Sequence, residues 1–284
     1  MLIGQCIYCG VGHEGQLSDE HVVPLALHGN YVLRDASCEA CRHNISGFET
    51  ALLRGGFRAA REAFVYNSRS KSRPQTLPVF DAHGVTDSRM NIPVGDYPVT
   101  LIMPTISGPQ IDDLPYKQKP GVMPWLYRSH NFDVLSAKHN LTKFASNSLD
   151  VRSFFRTLAK VAHGLAVGAF GLNGFVPFLR PVILEPDYPA YSRFIGMIGV
   201  QPQPLLEKGF EVEIGVETLG ESEYVSARIR FFPELNTPFY RVIAGALPDS
   251  SAALAKWKKV LEMPPLDPHE AAPLRIELHA TRNK

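Results

Sequence analysis

The sequence predicts an α+β protein in which a small strand–strand–helix unit precedes a larger region of helices and antiparallel sheet. Three observations support this fold class. All four cysteines of the 284 residues lie in the first 41, as two closely spaced pairs. The segment between the pairs has the pattern of a strand, a loop and a strand, and a helical pattern opens at the second pair. Further along, a long helical pattern at residues 148–170 is followed by several short strand-like segments separated by turn residues.

The composition is typical of a globular protein, with 45% hydrophobic and 20% charged residues. It excludes disordered, collagen-like and coiled-coil chains. Lys and Arg number 29 against 28 Asp and Glu, so any positive surface that binds nucleic acid must be local. The N-terminus lacks a signal-peptide pattern, and the most apolar run, Val161–Leu172, is shorter than the roughly 20 residues that span a bilayer. We therefore expect a cytoplasmic protein without a membrane segment.

The cysteines form two Cys-x-x-Cys pairs, Cys6 with Cys9 and Cys38 with Cys41. Each pair can present two thiolates to one ion from a tight turn, and two pairs complete the four-thiolate tetrahedron that structural zinc prefers. Free thiols and a redox-active pair are the alternatives, but two copies in so short a segment favour zinc. The sequence therefore predicts one structural Zn²⁺, whose binding free energy would stabilise a unit too small for a large core.

Acidic residues and a histidine are contiguous between the pairs, as Asp19, Glu20 and His21. Such residues can hydrolyse a phosphodiester, because a carboxylate holds a hard divalent ion and an imidazole removes a proton from water. In an extended strand Glu20 and His21 would point to opposite faces, so both reach one phosphate only if the strand ends or bends there. A purely structural role for His21 is the alternative.

Taken together, C-x-x-C, E-H-x-x-P, G-N at residues 29–30 and a second C-x-x-C opening a helix resemble the HNH endonucleases with a zinc-braced ββα-metal core. The resemblance covers residues 6 to about 50. It implies that His21 is the general base and that Asn30 orients it. It also implies that Glu20 is a ligand of a catalytic Mg²⁺ or Mn²⁺, with Asp19 as a substitute.

The third motif position departs from the family pattern. In many members an Asn or His directly follows the last knuckle cysteine, whereas here Arg42 stands there and His43 and Asn44 come next. The resemblance implies that His43 or Asn44 is the second protein ligand of the catalytic ion. We prefer His43, because imidazole suits several divalent metals.

A basic segment follows this motif. Residues 54–73 contain six basic residues and one acidic residue, a local balance of +5. Arg54, Arg58 and Arg61 would share one face of an unbroken helix, although Gly55 and Gly56 indicate a break. We predict that these arginines contact nucleic-acid phosphates, with an ordinary solvated face as the alternative.

We assign residues 1–73 to the HNH domain with its basic extension and residues 74–284 to an accessory domain. The long helix of that domain is expected to be capped by Ser148 and to carry Arg152, Arg156 and Lys160 on one face, either toward phosphate or toward solvent. The predicted strands are Thr76–Phe80, Tyr97–Met103, Val182–Leu184, Phe194–Val200, Phe210–Val216, Tyr224–Phe232 and Phe239–Ala246.

The resemblance implies metal-dependent hydrolysis of DNA phosphodiester bonds, leaving 5′-phosphate and 3′-hydroxyl ends. It suggests a role in restriction or phage defence. RNA stays open as a second substrate, and a homo-oligomer is compatible with the sequence. The alternative is a zinc-stabilised module that binds nucleic acid or a protein partner and whose HNH core is degenerate and inactive.

Overall fold

The N-terminal unit is a two-stranded antiparallel sheet followed by a helix. The computed structural model describes residues 1–12, 16–68, 72–81, 89–111, 122–128, 132–139, 143–145, 148–186, 191–199, 209–262 and 277–279. In it, strand β1 (Ser18–His21) pairs with β2 (Val32–Ser37), and helix α1 (Glu39–Arg54) begins directly after Cys38. The predicted order of strand, loop, strand and helix is therefore confirmed.

Smaller elements lie between this unit and the long helix. Helix α2 follows α1 after a break at Gly55–Phe57, as the two glycines predicted. The elements of this part are α2 (Arg58–Ala63), β3 (Thr76–Asp81), β4 (Arg89–Pro93), β5 (Thr100–Ile106), β6 (Val122–Arg128), α3 (Phe132–His139) and β7 (Lys143–Ala145).

The remaining chain contains the longest helix and the three longest strands of the described residues. Its elements are α4 (Val151–Phe170), β8 (Val176–Pro177), α5 (Arg180–Leu184), α6 (Tyr191–Phe194), β9 (Ile195–Gly199), β10 (Phe210–Leu219), β11 (Ser222–Phe231), β12 (Phe239–Ala246), α7 (Ser251–Glu262) and β13 (Glu277–His279). Three-residue 3-10 helices occur at Leu25–Leu27, Val94–Asp96 and Pro233–Leu235.

The largest sheet has the strand order β10-β11-β12-β8, and β9 also pairs with β12. Its first three strands form the antiparallel meander that the sequence predicted. A second sheet has the order β13-β7-β3-β4, and β5 pairs with β6. The named strands all pair antiparallel, so the mixed helical and antiparallel architecture is confirmed.

Helix α4 lies at the centre of the molecule. It packs against α1 on one side and against β11 and β12 on the other. Phe154 makes edge-on contacts with Phe57, Phe231 and Tyr240, aromatic geometry that adds to the burial of apolar surface. One cluster of buried apolar side chains therefore runs from the first cysteine pair through α4 into the largest sheet. The division of the chain at residue 73 stays a prediction.

Two local predictions are wrong. The segment Val182–Leu184 is helical in α5 rather than a strand, since a short apolar run does not distinguish the two and Pro181 suits the first turn of a helix. The cap of α4 is Asp150 rather than Ser148, because the Asp150 carboxylate accepts hydrogen bonds from the Arg152 amide and the Ser153 hydroxyl.

None of the helices in the described ranges combines the length and the apolar character that crossing a membrane requires.

Candidate metal centre and hydrolytic site

The four cysteines come together between the N-terminal loop and the start of α1. Their sulfur atoms all lie within 4.8 Å of one another, and no disulfide joins them. The Ile7 amide bonds to the Ala36 carbonyl at 2.9 Å, which ties the first pair to the end of β2. Cys38 and Cys41 lie at the cap and in the first turn of α1. A strand end, a turn and a helix start thus converge on one point.

This arrangement fits a tetrahedral metal ion. The Cys9 and Cys38 sulfurs are 3.8 Å apart. A zinc–sulfur distance of about 2.3 Å gives an edge of about 3.8 Å for a regular tetrahedron. Burial and the neighbouring Cys6 raise the pKa of the Cys41 thiol, so a cation is needed to hold all four groups as thiolates. The cysteines can therefore hold a metal ion such as the predicted zinc.

Strand β1 carries the acidic and histidine residues, and it alternates them between its two faces. Asp19 is exposed, and its carboxylate accepts a hydrogen bond from the Asp35 amide at 3.2 Å. Glu20 is buried, and its strand partner is Leu33. His21 ends the strand half-buried, with Nδ1 enclosed and without a hydrogen-bond partner among the described atoms.

Lys160 of α4 occupies the space beside Glu20. Its ammonium lies 2.6 Å from a Glu20 carboxylate oxygen and 3.0 Å from one of Glu49, and it donates to the carbonyls of His21 and Val22. Burial alone would lower the pKa of Lys160, but the two carboxylates outweigh it and raise that pKa. The Lys160 side chain is about 1% exposed, so water does not screen these contacts.

Three polar residues of α4 bind the N-terminal unit, at the spacing i, i+4 and i+7. Arg156 donates to the Asn44 amide oxygen, Lys160 pairs with Glu20, and His163 donates to the Ile7 carbonyl at 2.8 Å. Neither the phosphate-facing nor the solvated role expected for Arg156 and Lys160 is correct, because both are buried. The spacing of these residues within a largely apolar helix was the sequence signal for this role. It indicates that they are buried with the helix, and buried cations require partners.

The other predicted site residues are either exposed or bonded to other parts of the fold. Asn30 is exposed, and no hydrogen bond joins its side chain to His21 within the described residues. Asn44 donates to the Leu184 carbonyl at 2.9 Å and accepts from Arg156 at 2.6 Å, so its amide is already used. His43 is exposed on α1. The role of Asn30 in orienting His21 stays a prediction.

The implied ligands of a catalytic Mg²⁺ or Mn²⁺ do not fit one ion in this arrangement. Glu20 is paired with Lys160, Asn44 is bonded elsewhere, and His43 faces solvent. Over the part of the chain that the structure describes, the four cysteines are the one group of three or more Cys, His, Asp or Glu side chains placed to hold an ion. The sequence did not identify Lys160 as the cation that Glu20 and Glu49 share.

The three arginines of the basic segment differ in their surroundings. Arg54 is exposed at the end of α1, and Arg58 is half-buried at the start of α2. Arg61 donates to the carbonyls of Ala26, Leu53 and Asn67 at 2.9, 3.0 and 3.2 Å, so its guanidinium is engaged within the fold. Arg69 and Lys71 of the same segment lie outside the described residues.

A surface cavity of about 740 Å³ lies beside the second cysteine pair. Ser18, Asp35, Glu39 and Arg42 contribute to its lining, whereas His21 does not. Arg42, an exposed arginine of α1, thus lines the same cavity as Ser18 at the start of β1.

Comparison of the chain with family models, curated proteins and solved structures finds no significant match to any of them.

Proposed function

We propose that this protein is an endonuclease of the HNH type that hydrolyses DNA phosphodiester bonds, with His21 as the general base. What supports the proposal is that His21 ends strand β1, whose partner β2 leads directly into Cys38 and α1, so a metal ion in the four-cysteine cluster would brace the sheet that carries His21. Such a brace would hold the imidazole in place while a phosphate approaches from solvent. RNA is the second polymer to be tested as substrate.

In the proposed reaction His21 takes a proton from a water molecule that attacks phosphorus. The bond between phosphorus and the 3′ oxygen breaks, and the 3′ oxygen takes a proton from solvent, which leaves 5′-phosphate and 3′-hydroxyl ends. Because Nδ1 is enclosed, Nε2 is the ring nitrogen that would accept the proton. The resemblance also implies Mg²⁺ or Mn²⁺, but its implied ligands do not converge, so we assign no step to the ion.

Cleavage of supercoiled plasmid tests the proposal. Zinc-loaded protein is incubated with Mg²⁺, with Mn²⁺ and without added divalent ion, and the parent is compared with His21→Ala. His139→Ala is the matched control, because it removes an imidazole that pairs with Asp96 outside the N-terminal unit. Cleavage by the parent and the control but not by His21→Ala supports the proposal. Equal rates for all three proteins contradict it.

A zinc-stabilised nucleic-acid-binding module without catalysis is the second candidate. Glu20 is paired with Lys160, and Asn44 is hydrogen-bonded to the Leu184 carbonyl. Both contacts favour this candidate, because they occupy side chains that the resemblance implies as metal ligands. A parent protein that binds DNA but does not cut it under any of the three metal conditions would select this candidate.

A further inference from the structure

The Glu20–Glu49 pair is a buried acidic site that already has a cation. Two carboxylates lie within 3.0 Å of the Lys160 ammonium, and Glu20 and Lys160 are both buried. Carboxylates withdrawn from water need a positive partner, because an unpaired buried charge is costly. In the family that the N-terminal motif resembles, a divalent ion would be the partner of Glu20. In this chain a lysine from a distant helix takes that position.

The close approach of α4 makes this contact a built feature of the fold. A Cβ atom on Gly164 would lie 3.1 Å from the Val22 side chain, and one on Gly168 would lie 2.2 Å from the Tyr31 hydroxyl. These glycines follow Lys160 at i+4 and i+8, so one face of α4 is small enough to pack directly on the ends of β1 and β2. The same face thereby brings the Lys160 ammonium to the carbonyls of His21 and Val22.

We propose that Lys160 is the resident cation of the Glu20–Glu49 pair and a positioning residue for His21. Its ammonium neutralises the two carboxylates and fixes the backbone where β1 ends, so Glu20 acts through Lys160 and not as a ligand of a divalent ion. The positioning role rests on the proposed hydrolytic function, whereas the cation role does not depend on it. Helix α4 is therefore part of the site, although the sequence places it far from the motif.

The cation role is tested by urea unfolding of the full-length, zinc-loaded protein. The variants are Lys160→Met, the double variant with Glu20→Gln and Glu49→Gln, and the triple variant that combines all three changes. Lys160→Met should lower the unfolding midpoint, because it leaves the buried Glu20 carboxylate and the partly buried Glu49 carboxylate without a cation. The triple variant should recover most of that loss, because the carboxylates are gone as well. A triple variant no more stable than Lys160→Met overturns the proposal.

Manganese then distinguishes lysine from a metal as the partner of the carboxylates. Mn²⁺ should shift the unfolding midpoint of the parent no more than that of the triple variant, because Lys160 already fills the site. If Mn²⁺ stabilises the parent but not the triple variant, Glu20 and Glu49 bind a divalent ion in preference to Lys160, and the proposal is overturned.

The positioning role is tested by the kinetics of plasmid cleavage. Lys160→Met should lower kcat about tenfold or more with little change in KM, and added Mg²⁺ should not restore it. Lys138→Met is the matched control, since it removes an exposed lysine that pairs with Asp96. An unchanged kcat for Lys160→Met overturns the positioning role. A parent without activity contradicts the proposed hydrolysis and with it the positioning role, while the unfolding measurements still decide the cation role.

Discussion

The ammonium of Lys160 lies 2.6 Å from the carboxylate of Glu20, although the two residues belong to different halves of the chain. This contact joins the segment between the two cysteine pairs to the helix that carries the main core. The His163 hydrogen bond to Ile7 and the Arg156 hydrogen bond to Asn44 lie on either side of it along α4. The motif and α4 therefore form one interdependent structure, and a change on either side should be detected on the other.

The four-cysteine cluster predicts about one zinc per chain in metal analysis of the purified protein. Cys38→Ser should lose that zinc and unfold at a lower temperature, because a bound ion would hold the first cysteine pair against the start of α1. Apparent binding free energies of such sites are about 10–16 kcal/mol, so removal of zinc by a chelator should unfold the N-terminal unit. A stable, zinc-free parent protein would contradict the metal centre.

Acid should destabilise the protein through His163. Burial, above all, lowers the pKa of His163 to about 4 in the folded state, against 6.5 for the free side chain. Between about pH 6.5 and 4 the unfolded chain therefore binds a proton at this residue and the folded protein does not. Stability is lost as the pH falls through this range. The free energy of unfolding should fall by about 3 kcal/mol across this pH range, as measured by urea unfolding.

His163→Gln is the control for that measurement. Its amide can still donate to the Ile7 carbonyl, but it does not titrate. The two proteins share every other titrating group, so the difference between their pH profiles isolates the histidine. Identical pH profiles for the parent and the variant would show that His163 protonates as easily in the folded state as in the unfolded chain.

The sequence predicted the local features of the site and missed the tertiary ones. Cysteine spacing and strand alternation depend on neighbouring residues, so the strand–strand–helix order and the placement of Glu20 and His21 on opposite faces of β1 could be predicted. The partner of Glu20 could not, because Lys160 reaches it only through the packing of α4. The prediction of a strand at Val182–Leu184 was wrong for a related reason. A short apolar run suits a strand or a helix, and only its tertiary neighbours decide between them.

Arg61 should contribute to stability more than to DNA binding. Its guanidinium donates hydrogen bonds to three backbone carbonyls. These bonds connect α2, which carries Arg61, to α1 and to the loop before β2. Arg61→Ala should lower the free energy of unfolding by about 2–3 kcal/mol, because those carbonyls lose a charged donor. Arg54→Ala, at an exposed position, is the matched control and should change it by less than about 0.5 kcal/mol. Equal effects of the two variants would contradict this role.

Arg54 and Arg58 remain the arginines of this segment that we expect to contact phosphate. Changing both to Ala should weaken DNA binding and flatten the plot of log affinity against log salt concentration. Each lost phosphate contact reduces that slope by about 0.9. Fluorescence anisotropy with a labelled duplex at several salt concentrations measures both quantities. An unchanged slope would assign the two side chains to an ordinary solvated surface.

His21→Ala should abolish cleavage while leaving the fold, the zinc content and DNA binding intact. A general base acts on the attacking water in the transition state, so its loss should appear in kcat rather than in affinity. General-base catalysis is worth roughly 10²–10⁴-fold, and the fall in rate should lie in this range or beyond it.

Glu20→Gln should also lower kcat, because it weakens the contact through which Lys160 holds the His21 carbonyl. If added Mg²⁺ restored Glu20→Gln to the parental rate, Glu20 would be a metal ligand rather than a partner of Lys160. If His21→Ala cut at the parental rate, the motif would not be catalytic.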